Sequence, residues 1–551
     1  MKFSIRNWIS ICGLGAVVAM TPRSAAETVQ VSTNLTGTVI WSSTNEYVLN
    51  GFTYVLSNAV LNIEPGTVIR GKAGTGLTSA ALFITQGAKI YANGTRSKPI
   101  IFTAEEDDLT DPNDIPLNTR GLWGGVVIFG KSVLNTSSDV TGNAAAPKYD
   151  VFEGLPDSQV EGQFVNRFGG NDDDDNSGVF RYVSIRYPGT VILPNKEING
   201  LSLCAVGRGT TIENVEVYGA ADDSVEFFGG TVNTKYMVSV WSDDDNFDID
   251  QGYRGKNQFW FAIQSPDKKD SGGEWNGEPN GLATGAAPIG NYEIYNATWI
   301  GAGTNTTGNR ALQIREYAAP KVFNSIITEY AGPAVRIDVR AAAHFTNGVA
   351  QIKDNLWWNF ATNGVAVPLA ESGTADTSDY GQVLFSDASL DNVVADPMLR
   401  GISRTNAPAF GLDPRPQPGS PALTSSRTAP NDGFYTPVAY KGAFNTVNWA
   451  SDWTAAGEMG LMTAVGAGTP GAPAEGNPLP KEPTLTAQLA SGALVITFGS
   501  EAGRSYQIQS KSDVGAVAWT DEGAAIAGTG SPLTQTIAIS GSGKFFRVVV
   551  Q

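Results

Sequence analysis

The chain has one histidine, His344, among 551 residues. A Ser-His-Asp or Cys-His triad, a His-rich zinc site or a histidine general base would each have to use that residue, so any chemistry falls to carboxylates, arginine, lysine or tyrosine. Cysteine is nearly as scarce, with Cys12 and Cys204 alone. Cys12 lies in a segment with a basic start (Lys2, Arg6), an apolar run from Trp8 to Met20 and the small-residue pattern Ser24-Ala25-Ala26. Residues 1–26 are therefore predicted to be a signal peptide that is cut away. Ile11 before Cys12 argues against lipidation, and Cys204 is then left alone, so no intrachain disulfide is expected after export. No later apolar run approaches the roughly 20 residues that cross a bilayer. Positive charge is short too: 37 Lys and Arg face 54 Asp and Glu, and loss of Lys2, Arg6 and Arg23 deepens the net charge from −17 to −20. That sign excludes nucleic acid and anionic membrane surfaces as expected partners, since both reward basic residues.

Glycine is abundant at 63 residues, and short β-branched runs alternate with Gly, Asn, Asp and Thr, which predicts an all-β chain. A period runs through it. Ile63-Glu-Pro-Gly66-Thr-Val-Ile69 returns as Ile84-Thr-Gln-Gly87-Ala-Lys-Ile90, 21 residues on, and Val127-Ile-Phe-Gly130 follows after 43. Asp222-Asp-Ser-Val-Glu-Phe227 and Asp244-Asp-Asn-Phe-Asp-Ile249 match at 22, and Leu312/Ile314 with Val335/Ile337 at 23. Asn214, Asn296, Asn324 and Asn355 each precede a β run, as in a ladder of turns whose amides bond neighbouring backbone. A period of 21–23 suits one coil of a parallel β-solenoid, whereas a propeller blade needs about 40–50 residues. It predicts roughly a dozen coils.

Asn50-Gly-Phe-Thr-Tyr-Val55, Leu61-Asn-Ile-Glu-Pro-Gly-Thr-Val-Ile-Arg-Gly71, Gly87-Ala-Lys-Ile-Tyr-Ala-Asn-Gly-Thr95, Pro99-Ile-Ile-Phe-Thr103, Leu412-Asp-Pro-Arg-Pro-Gln-Pro-Gly-Ser-Pro-Ala422 and Tyr440-Lys-Gly-Ala-Phe444 resemble secreted bacterial right-handed parallel β-helix proteins. The resemblance covers roughly Val29 to Thr463 and implies the pectin-lyase-like superfamily shape. The domain plan is a signal peptide (1–26), a β-helix (27–465), a Pro/Gly-rich linker (466–483) and a small antiparallel β-sandwich (484–551). In that last module Tyr506 and Trp519 are read as core before sugar contacts.

The two Asp-Asp segments carry the expected chemistry. Strand side chains alternate faces, so Val225, Phe227, Phe247 and Ile249 should point inward and Glu226, Asp248 and Asp250 outward to solvent. Glu226 should sit above Asp248, and Asp222 above Asp244, about one strand spacing (4.8 Å) apart. Downstream, Gln313, Arg315, Arg336 and Asp338 fall on the same outer face. Three readings stay open: solvated surface acids, a Ca²⁺ site on Asp222, Asp244 and Asp248, or catalysis by Glu226, Asp248 and Asp250 with Arg315 and Arg336. Asn171-Asp-Asp-Asp-Asp-Asn176 lacks the glycine and distal glutamate of an EF-hand. The β-helix polysaccharide lyases combine Ca²⁺-binding acids with an Arg or Lys base, for which the resemblance offers Arg254, Lys256, Arg315 and Arg336. Asp222-Asp223 is similar to an element of polygalacturonase-like hydrolases, but their His-Gly and Arg-Ile-Lys motifs do not occur. Ser265 to Asn291 reads as an insertion replacing a strand and overhanging this face as loop or lid, and Cys204 as a surface-phase thiol in the place of Glu226 one coil earlier. The leading expectation is a secreted or cell-surface protein that binds extracellular polysaccharide without turnover; the alternative is a carbohydrate-active enzyme, a lyase before a hydrolase.

Overall fold

The computed structural model describes residues 9–10, 27–136, 139–141, 147–194, 196–278, 287–304, 306, 310–360, 370–371, 376–405, 411–424, 426–462, 485–490, 493–500, 505–511, 519–538 and 545–550. The chain divides into two compact units, one spanning 26–478 and the other formed by 479–551 with the N-terminal segment. The proposed linker at 466–483 lies outside the described residues, as does the signal segment apart from Ile9–Ser10.

The larger unit is a parallel β-helix. Its coils stack strands into three faces, and every inter-coil pairing along them is parallel. The first face has nine strands: β1 (Phe52–Val55), β2 (Ala81–Ile84), β3 (Val126–Phe129), β4 (Leu201–Cys204), β5 (Val225–Phe228), β6 (Phe247–Asp250), β7 (Gly273–Asn276), β8 (Leu312–Arg315) and β9 (Val335–Ile337). The second and third faces are joined at one corner, crossed by long strands such as Thr211–Tyr218 and Asn233–Val240. At that corner Tyr182, Asn214, Tyr236, Phe259, Asn296, Asn324 and Asp354 in successive coils hold φ between 47° and 62°. Asparagine and aspartate tolerate this left-handed conformation, which explains why Asn recurs before β runs. The aromatics there are tolerated because their rings pack outside the barrel, Tyr236 on Phe259 at 4.9 Å.

The interior is one apolar column. Val225, Phe227, Phe247, Ile249 and Trp275 are fully buried within it, as the strand phase requires. Trp260 stacks on Phe247 at 4.2 Å between centroids, tying third face to first.

Two sequence expectations change. The 21-residue repeat compares different corners: Gly66 turns the chain between Val60–Ile63 and Val68–Gly71, and Gly87 between Ala81–Ile84 and Lys89–Asn93. Both glycines have φ above 80°, so like turn chemistry imitates a repeat. The residues that stack are Phe52 on Ala81 and Val60 on Lys89, 29 apart. The 22 and 23 offsets are true registers. Among the described residues the first face holds nine strands and the third face twelve, which agrees with the roughly dozen coils that the period predicts. The second concerns the asparagines: Asn324 pairs outward with the backbone of Arg427, and Asn296 Nδ2 donates outward to Tyr440 O (2.8 Å) while its Oδ1 accepts from the side chain, not the backbone, of Gln258 in the adjacent coil (3.2 Å). Asn355 does bond its neighbours' backbone, at Ser325 N and Val322 O.

Two outer coverings complete this unit. Between β3 and β4 the chain leaves the barrel twice, before and after the barrel strand Gly178–Arg186; the excursions form the antiparallel pairs Lys148–Val151 with Arg167–Gly170 and Thr190–Leu193 with Lys196–Ile198, and close an apolar cluster over the outside of β1 to β5. Residues 427–462 run along the second and third faces, with Tyr435 on Tyr295, Trp449 on Tyr236 and Trp453 on Tyr182. No helix among the described residues is long and apolar enough to cross a membrane.

The smaller unit holds two antiparallel sheets. Leu485–Ala490, Ala493–Phe498 and Leu533–Ala538 form one; Ser505–Lys511 and Phe545–Val550, with short partners that include Ile9–Ser10, form the other. Leu494, Ile496 and Phe498 share one core with Tyr506, Ile508, Phe546 and Val548. Tyr506 is thus core, and Trp519 lies under the cations of Arg547 and Lys511.

Candidate functional site

The outer side of the first face carries two columns of side chains set by strand register. One runs Tyr54, Phe83, Val127, Ser202, Glu226, Asp248, Glu274, Gln313, Arg336. The other includes Phe129, Cys204, Phe228 and Asp250, with Asn276 paired to Arg315 further on. Polarity therefore changes along the barrel: aromatic and apolar beneath the covering segment, acidic at β5 to β7, then amide and guanidinium.

Glu226 stands over Asp248 as the phase predicts, but it does not face solvent. It is 7% exposed, beneath the segment that leaves between β3 and β4. Asp248 and Asp250 are half-buried, and Glu153 and Glu197, carried by the covering excursions before and after the barrel strand Gly178–Arg186, act on this cluster. Asn199, fully buried, donates from Nδ2 to Glu226 Oε2.

Asn199 also begins a ladder at the entry corner. Its Oδ1 accepts from Asp223 N (3.2 Å), Asp223 Oδ1 from Asp245 N (2.9 Å), and Asp245 Oδ1 from Ser271 N (2.5 Å). The second aspartate of each doublet thus builds the turn, and the first, Asp222 or Asp244, is free to face outward. Ligand atoms of Asp222, Asp223 and Asp244 lie within 4.8 Å of one another, as do those of Asp223, Glu226 and Asp248 and those of Asp244, Asp245 and Asp270. The expected trio of Asp222, Asp244 and Asp248 is thereby split: the first two share one group and Asp248 belongs to the next.

Burial first, and then like charge, raises these carboxyls. Asp222 is pushed up to about 8, with Asp244 its strongest charged neighbour; Asp250 to about 7, by burial; and Asp244 to about 6, with Asp270 beside it. Glu226, Asp248, Asp223 and Asp245 also rise well above the carboxylate range. For Asp248 the leading charged neighbour is Glu274, and a hydrogen bond from Glu226 offsets part of the rise. Two like charges on adjacent strands cannot both ionise cheaply, so Glu226 and Asp248 each hold a proton more readily than an exposed carboxyl would.

Glu274 was missed in the sequence, where Ser265 to Asn291 was read as replacing a strand. Residues 273–276 in fact form β7, with Trp275 inward and Glu274 stacked on Asp248. One apolar residue among Gly, Glu and Asn gives too weak an alternation to detect, although Asn-Phe-Asp-Ile in β6 shows the same phase. The loop-or-lid reading covered all of Ser265 to Asn291, of which 279–286 lie outside the described residues.

The arginines do not converge on Asp248. Arg315 pairs with Glu274 and approaches Asn276 Oδ1 at 3.2 Å. Arg336 lies three strands from Asp248, roughly 14 Å at the usual spacing, and binds Asp376 (2.5 Å) and Gln313 Oε1 (3.1 Å). Arg254 is held by Asp173 at 2.7 Å, and Lys256, on the second face, by Asp432 at 2.5 Å. His344 sits on the short helix Ala342–Thr346, in none of the carboxylate groups.

Cys204 corrects another expectation. Its stacking partner is Phe228, Glu226 being matched by Ser202, and it is fully buried in the apolar cluster with Phe129 and Phe168. Burial raises the thiol well above its ordinary range, so it should be inert. Native protein should not react with an aromatic disulfide reagent, and unfolded protein should react at this thiol; rapid labelling of native protein would show that the covering segment does not seal the face.

The sequence profile of the pectate-lyase like β-helix domain matches residues 33–366. A search of curated proteins finds no match.

Proposed function

The chain belongs to the pectate-lyase like β-helix family, and on that premise we propose that it is an exported protein that holds extracellular polysaccharide against the acidic stretch of its first face. The family makes it a polysaccharide-related protein. The observation that carries the finer reading is the stack of Asp248 on Glu274, with Asp222 and Asp244 beside it, on the outer wall of the barrel next to the covered Glu226. Protonated and ionised carboxyls a strand spacing apart present donors and acceptors at intervals suited to successive sugar hydroxyls. Binding without turnover is favoured because the candidate bases Arg315, Arg336, Arg254 and Lys256 are each engaged by an acid.

The second reading is catalysis. Glu226 and Asp248 are adjacent carboxyls that both hold protons more readily than usual, although their hydrogen bond sets them closer than the roughly 5–5.5 Å that retaining glycosidases keep between their carboxyl groups. A proton-bearing Glu226 would serve as acid and Asp248 as base or nucleophile. Ca²⁺ suits the oxygen donors of Asp222, Asp223 and Asp244, although Asp223 spends one oxygen on the Asp245 N–H. A bound cation would neutralise this end of the face.

The test incubates purified protein with pectin, alginate and neutral glycans, with and without Ca²⁺, following binding, reducing ends and the ultraviolet absorbance of unsaturated uronates. The expected result is binding without product, weakened about tenfold or more in Asp248→Ala, the loss of a hydrogen bond to a charged group. Product formation abolished in Asp248→Ala would establish the enzyme; no binding to any glycan would overturn both readings.

A further inference from the structure

The hairpin of the second excursion, Thr190–Leu193 with Lys196–Ile198, is tied at both feet to the acidic doublet of the next coil. Before it, Pro188 O accepts from Ala221 N (2.9 Å); after it, Gly200 N donates to Asp223 O (3.0 Å). Asn199, at the second foot, also accepts from Asp223 N (3.2 Å). The hairpin therefore rises beside Asp222. From there Asp222, Asp244 and Asp270 follow one another in successive coils, each just ahead of β5, β6 and β7.

The two sides of the hairpin differ. Ile192 and Ile198 enter the apolar cluster beneath it. Val191 and Leu193 face the other way and are 56% and 53% exposed. Val191 stands opposite Glu197 and Leu193 opposite Lys196, and directly opposed residues of an antiparallel pair share a face. Glu197 is a charged neighbour of both Asp222 and Asp244, so the exposed aliphatic side chains lie on the side that carries this contact with the acid row. Leu77, also exposed, belongs to the adjoining turn Gly76–Thr78, whose Gly76 packs against Ile192 O. Single exposed aliphatic residues are ordinary; a group of them rimmed by polar residues marks a binding surface.

Charge decides what can lie there. The cations nearby are committed: Lys196 to Glu153 at 2.6 Å, Lys268 to Asp243 at 3.2 Å, Arg120 to Asp267 at 3.0 Å, and Lys269 Nζ to Pro266 O at 3.0 Å. A uronate chain would bring its carboxylates against Asp222, Asp244 and Glu197, and like charges that close repel. Burial makes Asp222 and Asp244 hold their protons, and a protonated carboxyl offers no counter-charge to a cationic polymer. An uncharged sugar meets neither obstacle. Its ring sets C–H groups on aliphatic side chains, and its hydroxyls exchange hydrogen bonds with carboxyls.

We propose that this hairpin is a wall of the glycan site, that Val191 and Leu193 are its specificity-determining residues, and that the ligand is an uncharged polysaccharide. Sugar rings pack on the two side chains while their hydroxyls reach Asp222 and Asp244. The inference rests on the acidic face being a glycan site, and it narrows the ligand to a neutral polymer.

Full-length protein is titrated calorimetrically with galactomannan, a soluble β-glucan, polygalacturonate and chitosan. The proteins compared are wild type, the double variant Val191→Ser with Leu193→Ser, and the double variant Val191→Ile with Leu193→Met. Wild type is expected to bind a neutral polymer more tightly than polygalacturonate or chitosan. The serine pair should bind it roughly tenfold more weakly at an unchanged melting temperature, and the isoleucine–methionine pair should keep the affinity. Unchanged affinity in the serine pair overturns the hairpin wall while leaving the glycan site standing. Tighter binding of polygalacturonate or chitosan than of either neutral polymer overturns the neutral ligand. No polymer bound by wild type overturns the site and the inference together. Should the serine pair melt lower, Val191→Thr, which keeps the side-chain volume, decides by the same comparison: weaker binding supports the wall, and equal binding overturns it.

Discussion

Replacing Glu216 by alanine is expected to cost about 3–5 kcal/mol of folding free energy, the loss typical when one partner of a buried charge network is removed. Glu216 lies on the outer side of the third face and is fully buried beneath residues 427–462. One oxygen accepts from Ser184 Oγ (2.6 Å) and Ala455 N (2.5 Å), the other from Ala456 N (3.1 Å). Arg186, 2% exposed, binds Ser184 Oγ and pairs with Glu458 at 2.5 Å. The alanine variant leaves two N–H groups without an acceptor and a buried guanidinium with less counter-charge. It should also loosen the covering segment, since Ala455 and Ala456 open the short helix Ala455–Glu458 that this carboxylate anchors. Denaturant unfolding measures the loss directly. A change no larger than an exposed ion pair contributes, about 1 kcal/mol, would mean that residues 427–462 are not docked on Glu216.

Stability is expected to fall as pH rises from about 5 to about 9, against the common pattern of carboxylates lost on acidification. The sign follows from the direction in which burial moves these groups. Asp244, Asp250 and Asp222 titrate at about 6, about 7 and about 8 in the folded protein. Unfolded, they would titrate near 4. Between those limits the native state binds more protons than the unfolded state, so the contribution is fully present below the unfolded value and is lost as pH climbs through the folded ones. A carboxyl that titrates one pH unit higher when folded than when unfolded accounts for roughly 1.4 kcal/mol of that loss, and Glu226 and Asp248 move the same way. Thermal melts across that range, for wild type and Asp222→Asn, provide the measurement. The variant should show the flatter profile, because it removes one of the raised titrating groups. A melting temperature that is constant or rises with pH in wild type would contradict the burial of this carboxyl cluster.

The acidic face shows where local reading succeeds. Phe247-Asp-Ile-Asp250 against Val225-Glu-Phe-Phe228 fixes both the alternation and a 22-residue register, and the structure keeps both. Alternation is a property of the extended backbone itself, so the inward set and the pairing of Glu226 with Asp248 could be derived without coordinates. The glycine-turn repeat failed for an equally local reason: Gly66 and Gly87 answer to the same backbone demand at different corners.

Residues far apart in the chain were harder to place. Nothing near Glu226 announces that Asn199 bonds it or that the segment after β3 covers it, and nothing near Cys204 announces Phe168. Glu274 was hidden because its strand contains one apolar residue, and its alignment is set by β6 and β8 on either side.

The order of residues alone dictates the all-β solenoid, the phase of its strands, and a stack of carboxylates on one face. These depend on interactions with a period, and a period is written along the chain. Folding in three dimensions settles which part of that face is covered, which carboxyls keep their protons, and which arginines are already paired. Burial and charge are sums over neighbours brought together from distant segments, so those answers exist only once the coils and their coverings have packed.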